Sequence, residues 1–177
     1  MASGPSLTAD DIERVRVWRS SGAPTEARRV IVTNTTFRAA PWADALFAMD
    51  RDWWRHHIDE VRDAFSGQLL TSLAHCYGAQ SIKVGDYKNS GAAAIVAAVH
   101  LGAQRIILLG YDCQRTGGKA HWHGDHPKGL GNAGSLDKWP AQFEKLARDL
   151  RDFNIVNCTR ETALTCFPRA TLEATLA

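Results

Sequence analysis

With 177 residues, 45% of them hydrophobic, the chain has the length of one domain and enough apolar side chain to bury a core without staples. Charge is nearly balanced, 21 Lys plus Arg against 19 Asp plus Glu, which excludes a polybasic nucleic-acid binder and an acidic disordered tail. The longest apolar run, residues 92–99, is far too short for a bilayer span, and the opening segment MASGPSLTADD lacks the charged and apolar regions of a signal peptide. The first periodic segment is residues 8–19, where Ile12, Val15 and Trp18 share a helical face, Thr8 is the expected N-cap, and Asp10 and Asp11 suit the positive end of the helix dipole. Gly22-Ala23-Pro24 breaks the chain, and residues 29–33 (RVIVT) predict a buried strand ending at Asn34. A short apolar run over 45–49 ends at Asp50, residues 52–65 predict a helix, and residues 68–73 and 81–84 predict strands. An alanine-rich helix over 90–101 leads to the clearest strand, 105–109 (RIILL), closing with Gly110-Tyr111-Asp112. An irregular stretch over 113–137, a helix over 139–152, a strand over 155–157 and a short helix around Leu172 complete the chain.

Helices alternating with short, continuously apolar, β-branched strands indicate one α/β domain over residues 1–177, a sandwich around a mostly parallel sheet. In such sheets ligands bind beyond the carboxyl ends of the strands, and those ends carry Asn34, Asp50 and Asp112. The strands over 30–33, 45–49, 106–109 and 155–157 are expected side by side and parallel, with Ser6, Asn34, Ser90 and Asp112 bordering one cavity. No C-x-x-C spacing joins Cys76, Cys113, Cys158 and Cys166, so they are expected as thiols of a soluble cytoplasmic protein rather than a disulfide framework.

Five segments could carry chemistry. Ser3-Gly4-Pro5-Ser6-Leu7 stands before the first helix, where small residues admit a ligand closely and free N–H groups suit a phosphate; the alternative is an ordinary capped helix start. Asn34-Thr35-Thr36 could hydrogen-bond a base or ribose, or satisfy its own loop backbone. Asn89-Ser90-Gly91 invites the same two readings at the start of the alanine-rich helix, with Ser90 expected as the N-cap. Of Trp53 and Trp54, which point about 100° apart on a helix, one is expected in the core; the other could cover a substrate.

The most unusual segment is His121-Trp122-His123-Gly124-Asp125-His126, with three of the seven histidines inside six residues. Formally it is the H-x-H-x-D-H zinc signature of metallo-β-lactamase-type hydrolases, but that fold draws further His and Asp ligands from downstream, and His126 is the last histidine. The residues leave several uses open: acid–base catalysis, phosphate contact, ordering of the loop, or a different divalent-metal site from His121, His123, Asp125 and His126.

Taken in order, the Gly-Pro-Ser-Leu turn, a strand ending in Asn, a Ser-Gly helix start, and a strand ending Gly-Tyr-Asp before a His-bearing loop resemble the bacterial single-domain CMP-sialyltransferases. They also resemble the related hydroxymethylpterin pyrophosphokinase-like domains and, more closely, uncharacterised phage and prophage proteins with the same Gly-Tyr-Asp and His-Trp-His-Gly-Asp-His segments. The resemblance implies a Rossmann-like three-layer sandwich and a nucleotide pocket lined by Gly4, Pro5, Ser6, Asn34, Ser90 and Gly91, with Tyr111 in the phosphate-contacting region; Ser3, Thr35 and Asp50, from the segments above, complete the expected binding set. Catalytic roles would fall to Asp112 and to one of His121, His123 and His126. The chain departs from that pattern where Cys113-Gln114-Arg115 replaces the expected phosphate-contacting tyrosines, and in having little sequence for a strand before Gly4.

The expected function is therefore a nucleotide-dependent transferase using a nucleotide-activated sugar, CMP-type among the candidates. A loop histidine would be the general base, and helix-start amides with Arg115 or Lys119 would meet the phosphate. The alternatives are a Mg²⁺-dependent pyrophosphokinase-like or phosphohydrolase-like enzyme with Asp50, Asp112 and Asp125 on the metal, and a non-catalytic nucleotide-binding phage accessory protein. A small-molecule nucleotide is the expected partner, in a bacterial host cell if the chain is phage-encoded. Homo-oligomerisation stays open.

Overall fold

Strands that are apolar along their whole length need cover on both faces, and the arrangement of the helices follows from that. The computed structural model describes residues 1–23, 27–127, 129–131, 134 and 136–177, so Pro24 of the expected break, and four residues of the irregular stretch, lie outside the described residues. Strands β1 (Ile31–Thr33), β2 (Ala45–Phe47), β3 (Gln68–Thr71) and β4 (Gln80–Ser81) form a sheet in that order, every neighbouring pair parallel. A second parallel pair joins β5 (Arg105–Leu108) to β6 (Asn154–Asn157), with Ile106 opposite Ile155.

Residues 1–4 run between the two sheets. The Met1 amine donates to the Ile31 carbonyl, Thr33 N–H donates to Met1 O at 3.1 Å, and Ala2 N–H donates to Leu109 O at 2.8 Å. Hydrogen bonds on both sides of this segment link β1 to β5. The four strands expected side by side are thus divided between two sheets, β1 with β2 and β5 with β6, with this extended segment between them.

Side-chain alternation assigns the faces. Val30, Val32, Leu46 and Ala48 pack with Val15 of α1 (Ala9–Ser21) and with Trp53, Trp54, Ile58 and Val61 of α2 (Arg51–Ala64). Ile31, Ala45, Phe47 and Leu70 point the other way, onto Ala93, Ala94 and Ala97 of α3 (Ser90–His100). The alanines let α3 lie close to the strands. On β5 and β6, Ile106, Leu108 and Ile155 meet Phe143 and Leu146 of α4 (Trp139–Asp149), while Leu109 joins the first cluster with Leu172 of α5 (Leu172–Leu176). Leu46, Phe47 and Leu70 are wholly buried, each contributing about 1.5–3 kcal/mol by leaving water.

Local capping follows the sequence at α1. Thr8 Oγ1 accepts from Asp11 N–H, and the Asp11 carboxylate accepts from Thr8 N–H at 3.1 Å, a reciprocal cap. Burial alone would raise the Asp11 carboxyl. Hydrogen bonds from Arg160 and Thr8 outweigh it and hold the group below its ordinary value. At α3 the N-cap is Asn89, not Ser90: its Oδ1 accepts from Gly91 N–H at 2.8 Å and Ala92 N–H at 3.1 Å. Both tryptophans of α2 are buried, Trp54 donating to Ala48 O at 3.0 Å and Trp53 directed to Thr35 Oγ1 at 3.4 Å. The four cysteines are free thiols. Among the described residues no helix is long and apolar enough to cross a membrane.

Candidate functional site

The carboxyl ends of β1 and β5, the starts of α2 and α3, and the irregular stretch after β5 enclose a cavity of about 550 Å³. Ser3, Gly4, Asn34, Asp50, Ser90, Gly91, Tyr111, His121 and His126 all line it. Pro5, Ser6, Thr35, Asp112, His123 and Asp125 do not.

The reason Ser6 and Asp112 stand back is that they face each other. Asp112 is 1% exposed and accepts from Ser6 N–H at 2.9 Å, Ser6 Oγ at 2.8 Å and Thr116 Oγ1 at 3.0 Å. An internal carboxylate therefore takes the Ser6 amide, two residues before the Thr8 cap of α1, in the turn where a phosphate was expected. Burial raises the Asp112 carboxyl, with the bonds from Ser6 and Thr116 opposing. The amides at the start of α3 are likewise taken by Asn89. Positive charge at the cavity comes instead from Arg51, whose guanidinium also donates to Ala74 O at 3.2 Å, and from Lys88 and Lys138; Arg115 and Lys119, expected in that role, do not line it, and Arg115 bonds the Gly118 carbonyl.

Sharp backbone turns bring polar groups to the cavity edge. Asn34 has φ +48° directly after β1, which aims its side chain away from the strand, and its Oδ1 is buried without a hydrogen-bond partner. Cys113 has φ +50° after Asp112 and starts the loop back across the strand ends. Tyr111, buried at the cavity wall, donates its hydroxyl to Gly91 O at 3.2 Å and fixes the start of α3; burial pushes its phenol well above its usual value.

The histidine loop is pinned by its first residues. Trp122 N–H donates to Ser3 O at 3.0 Å, and Ser3 Oγ lies 3.0 Å from His121 Nδ1. The rings of His121, His123 and His126 stand 4.9–5.1 Å apart, His121 and His123 stacked with planes 4° apart. Burial lowers all three imidazoles, His121 to about 4 and His123 to about 3, so they are neutral at pH 7. For His126 the carboxylates of Asp125 and Asp50 oppose the lowering. Asp50 itself is raised by partial desolvation at the cavity mouth and by Asp52, with His126 acting in the other direction.

As the side chains stand, no three His, Cys, Asp or Glu groups among the described residues are arranged to hold a metal ion. The three aspartates expected on Mg²⁺ are separated: Asp50 lines the cavity, Asp112 turns inward to Ser6, and Asp125 is exposed outside it.

The low basicity of His121 carries a stability prediction. Its unfolded form takes up a proton below about pH 6.5 while the folded form resists until about pH 4, so its contribution is lost as pH falls through that window. Between pH 6.5 and 5 the loss should be about 2 kcal/mol. Melting curves of the parent and His121→Asn at both pH values should show the variant losing correspondingly less; equal losses would mean the ring is accessible to protons in the folded state.

Several cavity groups carried no signal in the reading of motifs: Arg51, Lys88, Trp139 and Gln142. Trp139, Gln142 and Phe143 share one face of α4 at i, i+3 and i+4, a spacing visible in the sequence that reads equally as core. Comparison with known protein families, with curated proteins and with solved structures found no match.

Proposed function

We propose that the cavity binds a nucleotide-activated sugar, CMP-type among the candidates, and that the protein transfers the sugar to an acceptor hydroxyl with His126 as general base. The observation that carries the reading is the meeting, at the carboxyl edge of parallel strands, of a neutral imidazole, a flanking carboxylate and three cationic side chains in one cavity. Helices on both faces of the strands support a Rossmann-like three-layer sandwich, whose ligands sit at that edge.

In this scheme His126 takes the proton of the acceptor hydroxyl as its oxygen attacks the anomeric carbon. The bond from that carbon to the phosphate oxygen breaks, and its electron pair leaves with the nucleotide. Arg51, Lys88 and Lys138 supply countercharge to the departing phosphate. Asp50 favours the imidazolium that forms on His126. Turned to Ser6, Asp112 keeps the loop in place rather than touching substrate. A Mg²⁺ site built from Asp50, Asp112 and Asp125 would require it to turn outward and break three hydrogen bonds.

A thermal-shift series with nucleoside monophosphates and nucleotide sugars, each with and without Mg²⁺, tests the reading. A ligand at 100 times its Kd that binds only the folded protein adds about 2.7 kcal/mol, roughly 5–11 °C in a chain of this size. A shift without metal, followed by release of nucleotide when an acceptor is added, is the expected result. Shifts that require Mg²⁺ would point to the pyrophosphokinase-like alternative. Binding without turnover on any acceptor would point to an accessory protein, and no shift with any nucleotide would end the nucleotide reading.

A further inference from the structure

The first turn of α4 carries an indole, a primary amide and a phenyl ring on one face, and all three reach the cavity. Phe143 is committed to the core, 1% exposed and edge-on to Tyr111 at a centroid distance of 5.8 Å. Trp139 is only half-buried. Gln142 lines the same cavity, and its Oε1 is buried without a hydrogen-bond partner. A buried acceptor left unmade carries a stability cost, which a bound donor would remove.

A phosphate offers no donor to Oε1, and a sugar, whose hydroxyls can donate to Oε1 and whose C–H face can rest on an indole, presents no planar edge with a fixed donor beside an acceptor. What answers both features is a planar heteroaromatic ring with an N–H on its edge: the ring stacks on Trp139 while the N–H donates to Gln142. A primary amide can also turn to offer its Nε2 to a neighbouring ring acceptor, so it can read a donor–acceptor pair on a base edge. We infer that Trp139 and Gln142 form the nucleobase subsite of the cavity, with Trp139 as the stacking platform and Gln142 as the group that reads the edge of the base. The inference rests on the proposal that the cavity takes a nucleotide, and it assigns the end of the cavity at which the base lies.

The test compares binding of CMP, UMP, AMP, GMP and base-free ribose 5-phosphate by calorimetry, in the parent protein and in Gln142→Leu and Trp139→Ala. In the parent the tightest nucleotide should bind at least tenfold better than ribose 5-phosphate. Gln142→Leu should weaken that nucleotide about tenfold and leave ribose 5-phosphate unchanged. The same substitution removes the unpaired acceptor, so the ligand-free protein should melt at the same temperature or a few degrees higher. Stability kept while base affinity is lost is a signature a purely structural glutamine would not give. Trp139→Ala should weaken all four nucleotides by similar factors, since stacking tolerates any base, again sparing ribose 5-phosphate. If ribose 5-phosphate binds as well as every nucleotide, or if Gln142→Leu leaves all affinities unchanged, the subsite is overturned while phosphate binding in the cavity stands. If neither nucleotides nor ribose 5-phosphate bind the parent, the nucleotide reading fails, and the subsite with it.

Discussion

Gly4→Val is expected to cost of order 4 kcal/mol, roughly 8–16 °C in melting temperature for a chain of this size. A Cβ built on Gly4 would lie 2.0 Å from Asp112 Oδ1 and 2.5 Å from the Gly110 carbonyl oxygen. Neither neighbour can retreat cheaply. Asp112 is held by Ser6 and Thr116, and Gly110 O accepts the Gly4 N–H at 2.8 Å, so moving either breaks buried hydrogen bonds as well as making room. The damage would fall where the link between the two sheets turns into α1, at the cavity wall. Gly131→Ala is the control, because a Cβ there meets nothing within 4 Å. Urea and thermal unfolding of both variants check the prediction; a Gly4→Val protein within about 2 °C of the parent, well under the shift a single kcal/mol produces at the upper end for this size, would mean that the close approach is not real.

That contact shows how far the glycine before α1 could be read from the sequence and where the reading stopped. Gly4 was legible as a place of close approach, but the residue approaching is Asp112, more than a hundred positions away, in the place where a phosphate was expected. Local signals give a helix start with free amides. Only tertiary contact decides whether an outside anion or an internal carboxylate takes them. The same limit explains α3: Asn89 and Ser90 are both good caps, and the one that caps is the one whose backbone is extended, with φ −120° and ψ 127°. Strand positions were legible because β-branched runs such as Arg105–Leu108 have little alternative use, although β4 is only Gln80–Ser81, at an exposed edge, and shares just Ser81 with the strand expected over 81–84. Asn34, Ser90 and His121, read as strand-end, helix-start and loop residues, do come to one cavity. Gln142 escaped notice because a glutamine on an amphipathic helix is ordinary until its oxygen is seen buried and unpaired.

For the histidine loop, the transferase proposal makes its sharpest demand on His126. His126→Ala should lower kcat by about 10²–10⁴-fold, with nucleotide affinity nearly unchanged, because a general base contributes in the transition state and little to binding the nucleotide. His123→Ala should leave kcat much closer to the parent value, since that ring stands behind the cavity wall, stacked on His121. The pH profile separates the two histidines that do face the cavity. A base must be neutral to act, so kcat falls as pH drops through its pKa. Burial lowers His126 from its ordinary value, with Asp125 and Asp50 opposing, so the acid limb should lie below about pH 6.5. Removing the carboxylate in Asp50→Asn should move that limb further toward acid, because it takes away a group that stabilises the imidazolium. Were His121 the base, the limb would stand near pH 4 and Asp50→Asn would hardly move it, since burial, His126, Asp125 and Arg115 set its value. A parent limb near pH 4, or a His126→Ala protein with full turnover, would transfer the role away from His126. Full turnover in both His121→Ala and His126→Ala would leave the loop as a structural wall of the cavity.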